Sequence, residues 1–415
     1  MNNRKIVSKA NRFLVLLVLC GSNLFAQFKE GYYRAVLSLD PEKGVELPFN
    51  IMVKGKKKPT LTIINADEKI EVKEICFKKD SVFIQMPVFD TEFRCVFKGN
   101  DLEGIWVNHY RKEKNVIPFK AYAGDKRRFI TSPVNKEGNV EGKWAVTFSK
   151  GTKDSSMAIG LFHHLEQTDF INGTFLTETG DYRYLDGIKN GNQLMLSCFD
   201  GSHAFLFTAE ISANGQTMNG NFYSGSHWKE NWNAERRPEF ELRDPSHITY
   251  MKNKDEVIDI SFKDMKGMTV TLHDKRFQNK PVILQVMGSW CPNCMDESAY
   301  LTEVYKKYSK NGLEIVAISF EKTQDELKAR QQVERLIKRF NIQYTVLLSL
   351  QTGKDKASAA LPFLNGVSAF PTTLFLNRDH KAVRIHTGFS GPATGNEYLR
   401  YQESTEALIK QLLKE

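Results

Sequence analysis

The chain has 415 residues, and because one hydrophobic core rarely serves more than roughly 250 residues, this length predicts two or three domains. Hydrophobic residues make up 41% and charged residues 26%, which is typical of a soluble globular protein, and no segment is apolar for long enough to span a bilayer. The first 26 residues hold four of the 58 basic residues and none of the 49 acidic ones, so the net charge of +9 falls to +5 without them. An excess this small does not predict nucleic-acid binding, and the run KGKKK at residues 54–58 is interpreted as a solvated hairpin tip.

The first 26 residues have the pattern of a secretory signal peptide. Four basic residues open the segment, residues 13–19 are apolar, and Leu24-Phe-Ala26 is the predicted cleavage site. The alternative is a lipoprotein signal with a lipid on Cys20, although Leu19 stands where a small residue is normally required. Either signal predicts the periplasm or cell envelope of a Gram-negative-type bacterium.

Residues 28–244 are predicted to be antiparallel β structure throughout, because short β-branched and aromatic segments alternate with Gly, Asn and Asp turn signals. Three landmarks recur in the same order, 110 to 116 residues apart: Gly31-Tyr-Tyr and Gly142-Lys-Trp, Val88-Phe-Asp90 and Cys198-Phe-Asp200, and the strands at 102–106 and 218–222. We predict two repeated β modules, barrel- or sandwich-like, at residues 27–135 and 136–245. The alternative is that glycine–aromatic pairs recur through composition alone.

After residue 246 the pattern changes to alternating strands and helices, which predicts an α/β domain at residues 250–415. A hairpin of residues 258–262 and 267–272 precedes the core. The predicted core elements are strands at 282–286, 313–320, 344–348, 372–376 and 382–386, and helices at 295–308, 324–339 and 404–413.

The segment Trp290-Cys-Pro-Asn-Cys294 lies between the first core strand and the first helix. A sulfur at a helix N-terminus is near free N–H groups that favour the thiolate, and a second sulfur one turn on can attack a mixed disulfide formed at the first. The spacing therefore predicts thiol-disulfide exchange. The alternatives are a zinc half-site, which would need two further ligands, and a structural bridge, which would stabilise little across so short a loop.

This motif and Phe370-Pro-Thr-Thr-Leu-Phe375 together resemble the thioredoxin superfamily. Glu297 and the hairpin ahead of the core narrow the resemblance to the TlpA/ResA-like thiol-disulfide oxidoreductases of bacterial envelopes, over roughly residues 256–413. The resemblance implies that Cys291 is the nucleophile, Cys294 the resolving thiol, and Cys291–Cys294 a redox-active disulfide, with no other cofactor and no metal.

The resemblance also implies roles for residues around the cysteines. Trp290 would form a packing wall, and Pro371 would be a cis residue that faces the disulfide. Phe370 would pair with an extended substrate segment, and Pro292 and Asn293 are further candidates for substrate binding.

Two carboxylates are candidate proton carriers. Glu297 would serve Cys294 in this role, and the alternative is a solvent-facing helix position; Glu321 is a weaker candidate. Thioredoxins carry a buried aspartate six residues before the first cysteine, whereas this chain has Gln285 there, so the proton must use another group or water. Residues 321–363 are longer than in a minimal thioredoxin, which predicts an added helix or loop.

The remaining cysteines and an adjacent histidine pair are predicted to be structural. Cys76 and Cys95 would lie on strands that flank a third, roughly 9 to 10 Å apart, beyond the roughly 7 Å Cα limit for a disulfide, so these thiols and Cys198 are expected to be free and mostly buried. His163 and His164 would point to opposite faces of a strand and would not share a metal.

The resemblance implies an enzyme that reduces disulfides in envelope proteins and receives electrons from a membrane-borne thiol donor. The alternative function is a ligand- or partner-binding protein, with lipocalin-like β modules and an accessory thioredoxin-like domain.

Overall fold

The structure is a computed structural model that describes residues 27–132, 139–165 and 168–415. Three β sheets follow one another along the chain. The first two are antiparallel and belong to the β-rich region, and the third belongs to an α/β domain, so the predicted fold class is confirmed. The predicted signal peptide, Cys20 and the predicted boundary at residues 135 and 136 lie outside the described residues.

Module 1 is a nine-stranded antiparallel sheet with the order β4-β3-β2-β1-β9-β8-β7-β6-β5. The two edge strands are consecutive in the chain and only two residues separate them, so the sheet curls strongly without closing between them. The strands are β1 (Gly31–Asp40), β2 (Val45–Lys54), β3 (Thr60–Asn65), β4 (Glu68–Val72), β5 (Ile75–Lys78), β6 (Ser81–Gln85), β7 (Thr91–Lys98), β8 (Asp101–Asn108) and β9 (Val116–Ala123).

Module 2 also has nine strands, and its sheet closes into a barrel. Its strands are β10 (Gly142–Phe148), β11 (Ser156–His164), β12 (Phe170–Thr177), β13 (Gly180–Asp181), β14 (Leu185–Asn190), β15 (Gln193–Phe199), β16 (Ala204–Ile211), β17 (Thr217–Ser224) and β18 (Trp228–Arg236). The barrel closes because β11 pairs with both β10 and β12, and β12 pairs with β14.

The pairing pattern supports the internal repeat. Strands β10 to β18 follow the same order of pairings as β1 to β9, with one additional pairing between β12 and β14. The landmark segments fall on equivalent elements: Gly31 and Gly142 open β1 and β10, and residues 102–106 and 218–222 lie in β8 and β17.

The two modules share buried side chains. Phe199, Ala204 and Leu206 of module 2 belong to the hydrophobic core of module 1, and the rings of Phe199 and Phe49 stack with centroids 4.5 Å apart. Asn65 Nδ2 donates a hydrogen bond of 2.9 Å to the Phe199 carbonyl. These contacts join the two modules into one packed unit.

The α/β domain contains a seven-stranded sheet with the order β20-β19-β23-β22-β21-β24-β25, in which β21, β22 and β23 are parallel. Its strands are β19 (Ser261–Asp264), β20 (Thr269–Thr271), β21 (Val282–Met287), β22 (Glu314–Phe320), β23 (Thr345–Ser349), β24 (Thr372–Leu376) and β25 (Ala382–Thr387). Its helices are α1 (Pro292–Tyr308), α2 (Glu326–Phe340), α3 (Lys354–Ala360) and α4 (Asn396–Lys414). Helix α3 lies in the segment that was predicted to contain an addition.

Two predicted elements differ in extent from the observed ones. Helix α4 begins at Asn396 rather than at residue 404, because its first turns are polar outside and bury Tyr401. The hairpin before the core is shorter than predicted. The Ile258 N–H donates to the His380 carbonyl, and the preceding Val257 forms a bridge with Lys381, so the chain before Ser261 pairs with this segment instead of with the hairpin.

The structural cysteines and histidines follow the prediction with one exception. The thiols of Cys76, Cys95 and Cys198 are free, and Cys95 and Cys198 are buried. Cys76 is exposed because β5 is an edge strand, so the expectation of burial is wrong for this residue. His163 is exposed on β11, and His164 contacts the Thr168 carbonyl. Among the described residues, no helix is both long and apolar enough to cross a membrane.

Candidate active site

The two cysteines of the motif occupy the start of helix α1. Cys291 is the N-cap residue, and its sulfur accepts a hydrogen bond of 3.3 Å from the Cys294 N–H. The Cys291 thiol donates to the Phe370 carbonyl at 3.5 Å. Cys294 is 0% exposed and Cys291 is 7% exposed, so Cys291 is the sulfur with a path to solvent. Both thiols are free in this structure.

Trp290 and Phe370 form an aromatic wall beside Cys291. The Trp290 indole N–H donates to the Phe320 carbonyl at 2.9 Å, and its ring meets Phe370 edge-on with centroids 5.6 Å apart. A Cβ on Gly288 would lie 2.4 Å from the Trp290 indole nitrogen, so glycine is required for this approach. The Phe370–Pro371 peptide bond is cis.

Glu297 is fully buried, so the alternative of a solvent-facing position is wrong. Its carboxylate accepts hydrogen bonds from Gln285 Nε2 at 2.8 Å, Thr373 Oγ1 at 2.8 Å and the Tyr401 hydroxyl at 3.2 Å. Burial raises the pKa of Glu297 to about 7, against the lowering effect of these donors. Gln285, which replaces the thioredoxin aspartate, therefore holds the carboxylate that lies one helical turn after Cys294.

The Cys294 thiol and the Glu297 carboxylate also interact electrostatically. Burial raises the pKa of Cys294 well above its usual value, the bond and charge of Cys291 raise it further, and the charge of Glu297 acts in the same direction. A neutral, buried Cys294 thiol thus lies within electrostatic reach of a carboxylate that titrates near neutral pH.

Glu321 has a different environment. It is buried, and it accepts hydrogen bonds from the Ser289 N–H at 3.0 Å, the Ser289 hydroxyl at 2.7 Å and the Ser319 hydroxyl at 2.5 Å. Burial raises its pKa. These bonds hold the turn between β21 and Cys291.

Module 2 contacts the active-site motif directly, which the sequence did not predict. Asn293 Nδ2 donates to the Asp181 carbonyl at 3.3 Å, and the Ser202 hydroxyl donates to the Trp290 carbonyl at 3.3 Å. Arg183 donates to the Pro292 carbonyl at 3.1 Å. The backbone on both sides of Cys291 is therefore held by module 2.

Arg183 is also the centre of a buried charge cluster. It pairs with Asp200 at 3.2 Å and makes close contacts with Glu68 of module 1 and Asp296 of helix α1. Burial alone would lower the pKa of Arg183, but Asp296, Glu68 and Asp200 raise it well above its usual value. Burial raises the pKa of Asp296 to about 7. The charges of Glu68 and Asp181 also raise it, and the charge of Arg183 offsets only part of the increase.

Cys291 opens into a cleft with a volume of about 410 Å³, and all three parts of the chain line it. Trp290, Cys291, Pro292, Asn293 and Phe370 form its floor. The lining residues from the modules are Asn108, Tyr110 and Arg111 of module 1 and Thr177, Thr179, Gly180, Asp181, Tyr182, Ser202, His203 and Phe205 of module 2. A separate cavity of about 450 Å³, between module 2 and helix α4, contains neither cysteine of the motif.

Within the described ranges, no group of three or more His, Cys, Asp or Glu side chains is placed to hold a metal ion. The structure also places Trp290, Cys291, Pro292, Asn293, Cys294, Glu297, Phe370 and Pro371 together at one end of the sheet. Their individual roles remain predictions.

Residues 252–399 match the family model described as Redoxin. The same region is 28% identical over 137 residues to thiol-disulfide oxidoreductase ResA of Bacillus thuringiensis subsp. konkukian, covering 33% of this chain and 70% of that protein. ResA of Geobacillus thermodenitrificans is 29% identical over 130 residues, covering 31% and 66%. The C-terminal domain is TlpA/ResA-like. These matches and the dithiol geometry support thiol-disulfide oxidoreductase activity in this domain.

Part of this chain is also similar to solved structures. A thiol-disulfide oxidoreductase from Bacteroides fragilis has 19% sequence identity and a TM-score of 0.27, covering 35% of this chain and 98% of that one. A secreted thiol-disulfide isomerase from Corynebacterium glutamicum has 18% identity and a TM-score of 0.32, covering 42% and 98%.

Proposed function

We propose that this protein is an envelope enzyme that reduces disulfides in other proteins through the Cys291/Cys294 dithiol. The observation that carries the proposal is the different placement of the two sulfurs. Cys291 lines the cleft, whereas Cys294 lies behind it, buried and within the electrostatic reach of Glu297. This arrangement suits an attacking thiolate and a resolving thiol.

The first step is attack by the Cys291 thiolate on one sulfur of a substrate disulfide. The substrate S–S bond breaks, a mixed disulfide forms at Cys291, and the leaving sulfur departs as a thiolate that takes a proton from water. In the second step Cys294 gives its proton to the Glu297 carboxylate and attacks the sulfur of Cys291. The second substrate thiolate leaves, so two electrons have passed to the substrate and Cys291–Cys294 is oxidised.

The cycle closes when a dithiol reductant, proposed to be a membrane-borne thiol donor, reduces the Cys291–Cys294 disulfide. The envelope location is supported by the signal pattern in the first 26 residues. An oxidising compartment also supplies protein disulfides as substrates.

The binding-protein alternative is less well supported, because side chains pack the interior of the closed barrel. Phe175 and Phe207 stack with centroids 4.4 Å apart, Phe207 stacks on Phe222 at 4.4 Å, and Trp232 meets Phe175 edge-on at 5.2 Å. All four residues belong to the buried core of module 2. A lipocalin-like cavity would need this space for a ligand.

The proposal is tested by replacing each of the two cysteines on its own. We expect Cys291→Ser to abolish reduction of a disulfide-closed peptide, and Cys294→Ser to accumulate the peptide as a mixed disulfide on Cys291, detected by intact mass under non-reducing conditions. Cys76→Ser, which removes an exposed thiol on β5, is the matched control and should turn over like the wild type. A Cys294→Ser protein that turns over normally would defeat the mechanism.

A further inference from the structure

Two cations from different parts of the chain line the cleft over Cys291. Arg111 lies between β8 and β9 of module 1, and Lys322 follows β22 of the thioredoxin-like domain. The Lys322 ammonium lies 4.1 Å from the centre of the Trp290 ring and 5.4 Å from that of Tyr110. The Lys322 charge therefore lies beside Trp290, the residue that precedes the proposed nucleophile Cys291.

In the part of the chain that the structure describes, neither cation forms a direct ion pair, although the charges of Cys291 and the adjacent Glu321 act on Lys322. Asp181 is the carboxylate that lines the cleft, and its two oxygens accept the N–H groups of Arg183 and Gly391, each at 2.6 Å. The carboxylate at the cleft is thus engaged by backbone donors rather than by the two side-chain cations.

Arg111 acts on Lys322, and both act on a neighbouring imidazole. Withdrawal from water lowers the pKa of Arg111. Withdrawal from water and the charge of Arg111 lower the pKa of Lys322, against the raising effect of Cys291 and Glu321. Burial lowers the pKa of His227 to about 4, with further lowering by Arg111, Lys114 and Lys322. An anion bound between the cations would relieve this repulsion.

We propose that Arg111 and Lys322 bind a carboxylate on the substrate segment next to its disulfide, so that the cleft selects acidic cystine-containing segments. The proposal rests on the proposed function and names its substrate class. Attack requires the substrate sulfur to reach Cys291, so the residues that flank the substrate cystine must lie in the cleft that both cations line.

An alternative role for these cations is to act on Cys291 itself, because the Cys291 charge also influences Lys322. The two roles differ in what they select. A cation that serves only Cys291 changes its reaction with every electrophile, whereas a carboxylate site changes the preference between substrates of different charge.

The experiment uses the reduced protein without its signal segment and two synthetic peptides, each closed by one disulfide. The peptides are identical except that two Glu residues flank the cystine in one and two Gln residues in the other. Second-order rate constants for loss of the peptide disulfide are measured in single turnover. We expect a preference of about tenfold for the Glu peptide at low salt, falling as ionic strength rises.

Three variants identify the site. Arg111→Gln and Lys322→Gln should each reduce the Glu-over-Gln preference at least about threefold, and the double variant should remove it. Arg127→Gln, which also removes one positive charge from module 1 but lies outside the cleft, should keep the full preference.

Iodoacetamide alkylation of Cys291 provides the second readout. If Arg111→Gln and Lys322→Gln slow both peptides and iodoacetamide by the same factor, the cations act on Cys291 and the carboxylate site is refuted. Equal rates for the two peptides with wild-type protein would also refute it while leaving the proposed function intact. Failure to reduce either peptide would instead refute the proposed function itself.

Discussion

The two β modules pair their nine strands in the same order, but they differ at one position. In module 2, β13 is only Gly180–Asp181, and β12 pairs directly with β14 to close the barrel. In module 1 the equivalent strand is Glu68–Val72, and the described pairings include none between β3 and β5. A shortened strand in one copy thus coincides with closure of its barrel.

The difference explains why module 2, rather than module 1, holds the active-site backbone. Because β13 is so short, the chain leaves the barrel wall there. Asp181 then contacts Asn293 and Gly391, and Arg183 contacts Pro292 and Asp296. Module 1 keeps a regular edge strand at this position and contributes only Glu68 to the charge cluster. Module 2 supports the backbone of the cysteine motif, and module 1 supplies one wall of the cleft.

Replacing Arg183 tests this comparison where the effect should be largest. Arg183→Ala leaves Glu68, Asp200 and Asp296 buried without their counter-charge, which should lower the free energy of unfolding by about 3 to 5 kcal/mol. Urea unfolding at neutral pH measures the change. Arg94→Ala, which breaks an exposed ion pair in module 1, should cost at most about 1 kcal/mol. Equal costs for the two variants would contradict the special role of module 2.

Glu297 provides a comparison for Arg183, because the hydrogen-bond partners of Glu297 all belong to the thioredoxin-like domain and none to module 2. Its pKa is raised to about 7 in the folded protein, so its contribution to stability is complete below the ordinary glutamate range and is lost as pH rises through about 7. Relative to wild type, Glu297→Gln should therefore gain roughly 3 kcal/mol in unfolding free energy between pH 4 and pH 8.

The measurement is urea unfolding of both proteins at several pH values. Glu303→Gln is the control, because Glu303 lies exposed on the same helix and the substitution should leave the pH dependence of the wild type unchanged. A Glu297→Gln difference that stays constant with pH would contradict a carboxylate that titrates near neutral pH. The same difference in an Arg183→Ala background would show that the titration is independent of module 2.

Gly388 tests the contact of module 2 with the thioredoxin-like domain. A Cβ at this position would lie 2.3 Å from the Thr179 carbonyl carbon, and the residue has φ of +79°. Gly388→Ala should destabilise the protein by about 2 to 3 kcal/mol through clash and backbone strain. Gly267→Ala has a similar φ of +84° with nothing within 4 Å, and should cost only about 1 kcal/mol. If Gly388→Ala and Gly267→Ala lower the free energy of unfolding equally, the contact with Thr179 does not contribute to stability.

Ser202 should give the smallest effect. Its hydroxyl makes one partly buried hydrogen bond to the Trp290 carbonyl across the interface, so Ser202→Ala should lower the free energy of unfolding by about 1 kcal/mol. Thermal unfolding measures the loss. A loss of more than about 3 kcal/mol would mean that Ser202 supports more of the interface than this single bond.

The position of the cysteine pair at the start of a helix could be predicted from the sequence, because the information that determines it is local. The spacing of Cys291 and Cys294 at a helix start has a direct chemical meaning, and Phe370-Pro371 adds a second motif of the same family. The two β modules could also be predicted from the sequence, because Gly31 and Gly142 each begin a strand and turn signals separate the strands that follow.

The contacts of module 2 with the cysteine motif could not be predicted, because they join residues that are far apart in the sequence. Arg183 lies 109 residues before Pro292 and follows a two-residue strand, and its φ of 58° has no sequence signal in an arginine. The same is true of Arg111, a loop residue of module 1 that meets the cleft only through the packing of three units. Burial of Glu297 was likewise invisible, because it depends on Tyr401 of helix α4.

The central claim is that the Cys291/Cys294 pair is a reducing dithiol, and its equilibrium redox titration in the mature protein tests this most directly. The protein is equilibrated in dithiothreitol and glutathione buffers, and the fraction oxidised is read by thiol trapping, with Cys76→Ser removing the exposed competing thiol. We predict one reversible two-electron couple at about −270 mV, the potential of a reductant. A potential of about −120 mV, or no two-electron couple, would contradict the account.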